Sequence, residues 1–204
     1  RPMVAHRVRV GLKAGKITGW DHRIAAKPII LDTMFASPEV KASGIDPTTV
    51  EGVNDTHYAI PMLSVGVSAA QSPLPVLWWR SVGHTHTAYV METMMDMAAK
   101  AAGADPVAFR LELLSGAGKD GERLAGVLKL AADKAGWGKP AAGRFQGIAV
   151  HKSFDTYVAE VAEISIKDGK VRVEKVTCAV DCGVPINPDV IRAQMEGGIG
   201  FGLG

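Results

Sequence analysis

The chain has 204 residues, 47% of them hydrophobic and 22% charged, and a formal net charge of +2. That is ordinary for a globular protein, with enough chain to bury a core in one domain or two. Lys and Arg are scattered singly and no apolar run reaches the ~18 residues that cross a bilayer, so the sequence supports neither a nucleic-acid surface nor a transmembrane segment.

From the start, Val8, Val10 and Leu12 alternate with Arg7, Arg9 and Gly11, as in a half-buried strand. Ala14-Gly15-Lys16 turns it back into ITGWDHRIAA, which predicts a β-hairpin. From Lys27 to Thr56 the periodicity fades and Pro, Gly, Ser and Asp collect, and within it KASGIDPTTVEGVND, Lys41 to Asp55, reads as a surface loop with a single helical turn. Tyr58 to Ser68 returns to strand character, broken by Pro73 and Pro75.

Leu77 to Leu113 is the stretch around which the rest is organised. An apolar strand ending runs into a Ser/Gly/His turn that opens a helix. Free N–H groups at a helix start suit an anion, and the Arg80 guanidinium matches phosphate or carboxylate, which makes Arg80 to Gly83 a candidate ligand contact. The competing reading has Arg80 snorkelling beside Trp78 and Trp79. Val90, Met94, Met97, Ala98 and Ala101 form a helical stripe, widened by Ala88, Met91, Met95 and Ala102 into a helix expected to be buried on most sides. Asp105-Pro106 caps a second helix ending at Ser115-Gly116. A third starts near Asp120 with Leu124, Val127, Leu128, Ala131 and Ala135 on one side. GWGKPAAG then reads as a linker, dividing the chain into residues 1–138 and 139–204.

Beyond Gly143 the pattern predicts strands, with Asp168-Gly169 as a hairpin turn. Asn187-Pro188 caps a last helix that runs into Gly198, Gly200, Gly202 and Gly204. Each glycine costs a helix ~1 kcal/mol against Ala, so the run predicts close packing against backbone or a ligand. A dinucleotide fingerprint would need a strand before these glycines, and they follow a helix start instead. The two cysteines, Cys178 and Cys182, would lie ~13 Å apart along a strand, too far for a disulfide, and read as buried free thiols.

Other clusters carry less. His84 and His86 have no third ligand at matching spacing, so no metal site is expected and local hydrogen bonding is. Glu92, Asp96 and Lys100 read as a solvated stripe, or with Glu92 buried and holding a loop. His151, Ser153 and Asp155 lack the nucleophile turn of a hydrolase.

Three segments carry a resemblance: RPMVAHRVRVGLKAGKITGWDHRI, VLWWRSVGHTHTAYVMETMMDMAAKAAGADPVAFRLELL, and GIAVHKSFDTYVAEVAEISIKDGKVRVEKVTCAVDCGVPINPDVIRAQMEGGIGFGLG. In this order they resemble the molybdenum hydroxylases, the xanthine dehydrogenase and aldehyde oxidase family, and most closely the large molybdopterin-binding subunit of the isoquinoline 1-oxidoreductase type. The resemblance implies an α+β fold of β-hairpins and mixed sheet packed against helices, with residues 1–138 ending one molybdopterin-binding domain and 139–204 starting a second. It implies an oxidoreductase hydroxylating N-heteroaromatic compounds or aldehydes with water. The cofactor would be a molybdenum–pyranopterin dinucleotide, with iron–sulfur clusters on a small partner subunit.

The family's Phe-Arg-Gly-Phe-Gly loop maps onto Trp79, Arg80, Ser81, Val82 and Gly83. This places Arg80 near the metal in a supporting role, Ser81 and Gly83 at the cofactor, and Val82 facing substrate in place of an aromatic. The Gln-x-Glu-Gly helix maps onto Gln194 to Gly197, which makes Gln194, Gly197 and Gly198 cofactor contacts. No residue here is expected to ligate the metal. The family's metal loop and its Gly-x-Gly-Glu base have no counterpart in these residues, so the stretch reads as a piece of a larger bacterial subunit, inactive by itself. The resemblance favours the periplasm over the cytoplasm. The alternative is a non-catalytic scaffold that keeps the fold.

Overall fold

The computed structural model describes residues 3–204. It is α+β, and the chain divides into two compact units, Arg1–Ala117 and Gly118–Gly204.

In the first unit, β1 (Val4–Lys13) and β2 (Lys16–Ala26) form the expected antiparallel hairpin. Its turn places Ala14 at φ 50° and Gly15 at φ 76°, the paired left-handed geometry that matches strand twist. β1 alternates as predicted, and its half-buried face includes His6 beside Val4 and Val8. β2 buries Trp20, His22, Ile24 and Ala26. β3 (Leu63–Ala69) adds to β2 in parallel, a pairing that strand alternation alone does not specify.

Between Lys27 and Thr56 the chain is more than loop, and the Lys41–Asp55 segment is not all surface. The stretch holds α1 (Pro38–Ser43) and a 3-10 turn at Pro47–Thr49, and it buries Asp46, Thr49 and Val53. The Asp46 carboxylate accepts N–H bonds from Ile29 (2.6 Å), Ile30 (2.8 Å) and Thr48 (2.9 Å). One buried acid thus satisfies backbone donors that water would otherwise serve.

α2 (His84–Ala102) packs on β1 and on α3 (Pro106–Leu114). Its buried face is Thr87, Met91, Glu92, Met95, Ala98 and Ala99, rotated from the Val90–Met94–Met97 stripe. Tyr89 is 73% and Met97 58% exposed, so within this chain α2 is covered on one side only. Apolar content set the expectation of all-round burial, whereas partners on one side decide the burial seen here. The buried acid is held by Arg110 rather than by Lys100. Arg110 Nε lies 2.9 Å from Glu92 Oε2 and its Nη1 2.8 Å from Asp96 Oδ1, the latter an ion pair without hydrogen-bond alignment. Tyr58 Oη donates to Glu92 Oε1 at 2.7 Å.

In the second unit, β4 (Arg144–Ser153), β5 (Thr156–Lys167) and β6 (Lys170–Asp181) form an antiparallel sheet. Asp168-Gly169 makes the predicted turn, with φ 52° and 71°. α4 (Gly118–Ala135) buries Leu124, Val127, Leu128 and Ala131 as the stripe requires and packs against β5 and β6. Each fully buried Leu or Val there contributes roughly 1.5–3 kcal/mol. The second compact unit therefore begins at Gly118 with α4, because α4 needs this sheet to cover its apolar side. Cys178 and Cys182 are free thiols and half-buried, less enclosed than expected.

Arg123 of α4 clamps Asp181 of β6 through two bonds of 2.7 Å. The guanidinium, with help from the Gly183 N–H, holds the Asp181 carboxyl down at about 2, against 3.8 ordinarily. A carboxyl depressed in the folded state contributes stability that is complete above the unfolded value. That stability is lost as pH falls from 3.8 towards 2. Both side chains are about a third exposed, so salt weakens the effect. Arg123→Gln is expected to flatten the acid limb of a pH-stability profile in this window; an unchanged limb at low salt counts against the pair.

α5 (Pro188–Leu203) is capped by Asn187, whose side chain accepts from Asp189 N (3.1 Å) and Val190 N (3.2 Å). Its glycines do not pack as expected. A Cβ placed on Gly197, Gly198, Gly200 or Gly202 would meet nothing within 4 Å, and the helix buries no residue in this chain.

Candidate functional site

The turn before α2 is built by two left-handed residues in succession, Ser81 (φ 70°) and Val82 (φ 48°). Non-glycine residues avoid this region, and a β-branched one most of all. The turn is held by Val82 N–H donating to Trp79 O (2.9 Å) and by Thr85 Oγ1 donating to Arg80 O (2.9 Å). Arg80 is exposed on it. The resemblance's loop has glycine where Ser81 stands, and the left-handed φ is the physical reason a glycine suits that position.

Gly83 answers a different demand. A Cβ there would lie 1.8 Å from Thr48 O and 2.9 Å from Glu51 Cγ. This close approach lets the Glu51 carboxylate accept the Gly83 N–H at the head of α2. Burial pushes Glu51 up, against the stabilising N–H of Gly83 and the nearby His84. The helix start thus already carries an internal acid, so the reading of it as an open anion site does not hold at Gly83.

Beside the turn lies a cleft of about 510 Å³, lined by Ile29, Leu77, Trp79, Val82, Val90 and His86 among others. His86 does not bond locally as expected: its Nδ1 sits 3.1 Å from His6 Nε2, and His6 Nδ1 sits 2.8 Å from His22 Nε2. Trp20 Nε1 donates to His22 Nδ1 at 3.3 Å. Burial, then the neighbouring imidazoles, holds His22 and His86 down at about 4. The sequence reading passed over His6 and His22. The signal was there: in the hairpin register His6 pairs with Ile24 and Val8 with His22, on the inward alternation.

The remaining expected residues fall elsewhere. Gln194, Gly197 and Gly198 share α5. Asp155 stands in the β4–β5 turn, 90% exposed and 3.3 Å from Lys152, and the buried Ser153 Oγ has no hydrogen-bond partner among the described residues. No nucleophilic triad forms. Among the described residues no group of three or more His, Cys, Asp or Glu could hold a metal ion, and no helix is long and apolar enough to cross a membrane.

The profile of the molybdopterin cofactor-binding domain matches residues 85–204, more than half of the chain, and the chain belongs to that family. This bears out the molybdenum hydroxylase resemblance. The chain is 31% identical over 152 residues to isoquinoline 1-oxidoreductase subunit beta of Brevundimonas diminuta, covering 72% of this chain and 19% of that protein. It is 29% identical over 225 residues to the membrane-bound pyrroloquinoline-quinone aldehyde dehydrogenase of Gluconacetobacter polyoxogenes, covering 97% of this chain and 28% of that one. The crystal structure of the aldehyde oxidoreductase from Desulfovibrio desulfuricans shares the fold, with a TM-score of 0.51, 17% identity, and coverage of 84% of this chain and 20% of that one. The chain therefore spans less than a third of the length of each of these relatives.

Proposed function

We propose that this chain is part of the molybdenum-cofactor-binding large subunit of an oxidoreductase that hydroxylates N-heteroaromatic compounds or aldehydes with oxygen from water. Electrons would leave through iron–sulfur clusters on a small partner subunit. The observation that carries the reading is the turn at Arg80 to Val82. Ser81, where the family's loop has glycine, stands in the left-handed region that favours glycine, beside an apolar cleft. The bound cofactor, a molybdenum–pyranopterin dinucleotide, would supply the redox chemistry.

The chain's own residues bind and orient. The Arg80 guanidinium offers a planar fork of donors to an oxygen-rich group, and Ser81 shapes the turn that presents it. Gly83 seats the turn against Thr48, with its N–H held by Glu51. Val82, which lines the cleft, faces substrate. On α5, Gln194 offers an amide, and Gly197 and Gly198 leave room for a ligand to reach the backbone. In the full-length enzyme, Arg80→Ala is expected to lower turnover more than about tenfold, as loss of one charged donor at a reacting centre does. The circular dichroism spectrum should be unchanged. A near wild-type rate would show Arg80 to be packing only.

A further inference from the structure

Three imidazoles joined end to end, His6 and His22 on the inner side of the hairpin and His86 on α2, are a costly way to pack this contact, since each buried polar nitrogen must find a partner. Here the partners run in one direction. An indole N–H can only donate, so the Trp20 contact at 3.3 Å makes His22 Nδ1 the bare nitrogen and puts the proton on Nε2. His22 Nε2–H then donates to His6 Nδ1 at 2.8 Å, which leaves the His6 proton on Nε2. That proton is donated to His86 Nδ1 at 3.1 Å, so His86 also carries its proton on Nε2. The reverse order would set the Trp20 N–H against another N–H.

The chain of bonds ends at a cleft. His86 lines it, and its Nε2–H has no partner among the described residues. The cleft's volume, about 510 Å³, lies within the ~300–1,000 Å³ range of small-molecule sites. Its walls include Ile29, Leu77, Trp79 and Val82, and no acidic or cationic side chain other than the neutral imidazoles is among its described lining residues. Burial holds His22 and His86 down at about 4, so both stay uncharged near neutrality.

We propose that His86 is the hydrogen-bond donor that orients a neutral aromatic ligand bearing a ring-nitrogen or carbonyl acceptor in this cleft, with Trp20, His22 and His6 as positioning residues that lock the donating tautomer. The inference rests on the reading that Val82 faces substrate, and it adds what selects that substrate. A locked donor favours an acceptor and rejects an N–H or a cation at the same point.

The test uses the purified full-length protein labelled with [15N]histidine, with isoquinoline and naphthalene as probes of one shape with and without an acceptor. Nitrogen shifts are expected to report Nε2–H tautomers at all three histidines near neutral pH. Trp20→Phe should populate the Nδ1–H form of His22. His86→Phe is expected to raise the isoquinoline Kd about tenfold while leaving naphthalene binding unchanged or tighter. An isoquinoline affinity indifferent to His86, no isoquinoline binding, or tautomers unmoved by Trp20→Phe each overturn the proposal. Molybdenum content of the same samples is read separately. Isoquinoline binding that depends on His86 in protein devoid of molybdenum supports this inference while removing the cofactor reading.

Discussion

Arg110→Met should destabilise the protein by about 3–5 kcal/mol, the cost of removing one partner of a buried ion pair. Arg110 is fully buried, and Glu92 is 6% exposed. The guanidinium does four things at once: it pairs with Glu92 Oε2 and with Asp96 Oδ1, donates from Nη2 to Glu92 O (3.0 Å), and donates from Nη1 to Pro106 O (3.2 Å). Without it, the Glu92 carboxylate loses its buried cation while remaining in the core between α2 and α3, where the Tyr58 hydroxyl donates to it. The same surroundings push the Tyr58 hydroxyl well above its ordinary value, by burial first and the Glu92 charge next. Paired replacement, Glu92→Leu with Arg110→Met, should recover most of the loss, because apolar groups of similar volume carry no desolvation penalty. The measurement is the denaturant midpoint followed by fluorescence, with Trp20 as the buried reporter. A single variant within about 1 kcal/mol of wild type would show that the network is solvated.

Gly83→Ala is expected to cost about 3 kcal/mol, the upper end for overpacking, although the backbone of Gly83 is helical at φ −70°. Conformation is therefore not the reason. The added methyl would lie 1.8 Å from a backbone carbonyl, that of Thr48, which has no rotamer by which to retreat. Either α2 shifts or the segment after Asp46 does, and both movements break the Glu51 contact to the Gly83 N–H. The same variant should lower activity in the full-length enzyme by displacing the Arg80 turn. Equal stability of Gly83→Ala and wild type in thermal unfolding would mean that the approach is looser than this geometry.

The local elements were legible because each is dictated by neighbours in sequence. Ala14-Gly15 and Asp168-Gly169 both adopt the left-handed pairs their turn chemistry requires. Asp105 and Asn187 both accept the N–H groups their cap positions predict. The α4 stripe buries the side it offers. Partner choice was not legible to the same degree. α4 joined the sheet that follows it, and α2 turned Met91 and Met95 inward rather than Met94 and Met97, since many faces of an apolar helix satisfy the same pattern.

Within the site, the chain itself determined the family, the arginine turn at Arg80 to Val82, and the helix opening at His84. Those are properties of contiguous residues, where spacing and side-chain type suffice. Only the tertiary structure decided that Glu51 takes the Gly83 N–H, that Asp46 fastens the preceding loop, and that His6, His22 and His86 join into one chain of bonds. His6 and His86 are 80 residues apart. Nothing local to either residue specifies that contact. It exists because the hairpin alternation turns His6 inward and α2 docks on β1, so two separately encoded faces meet.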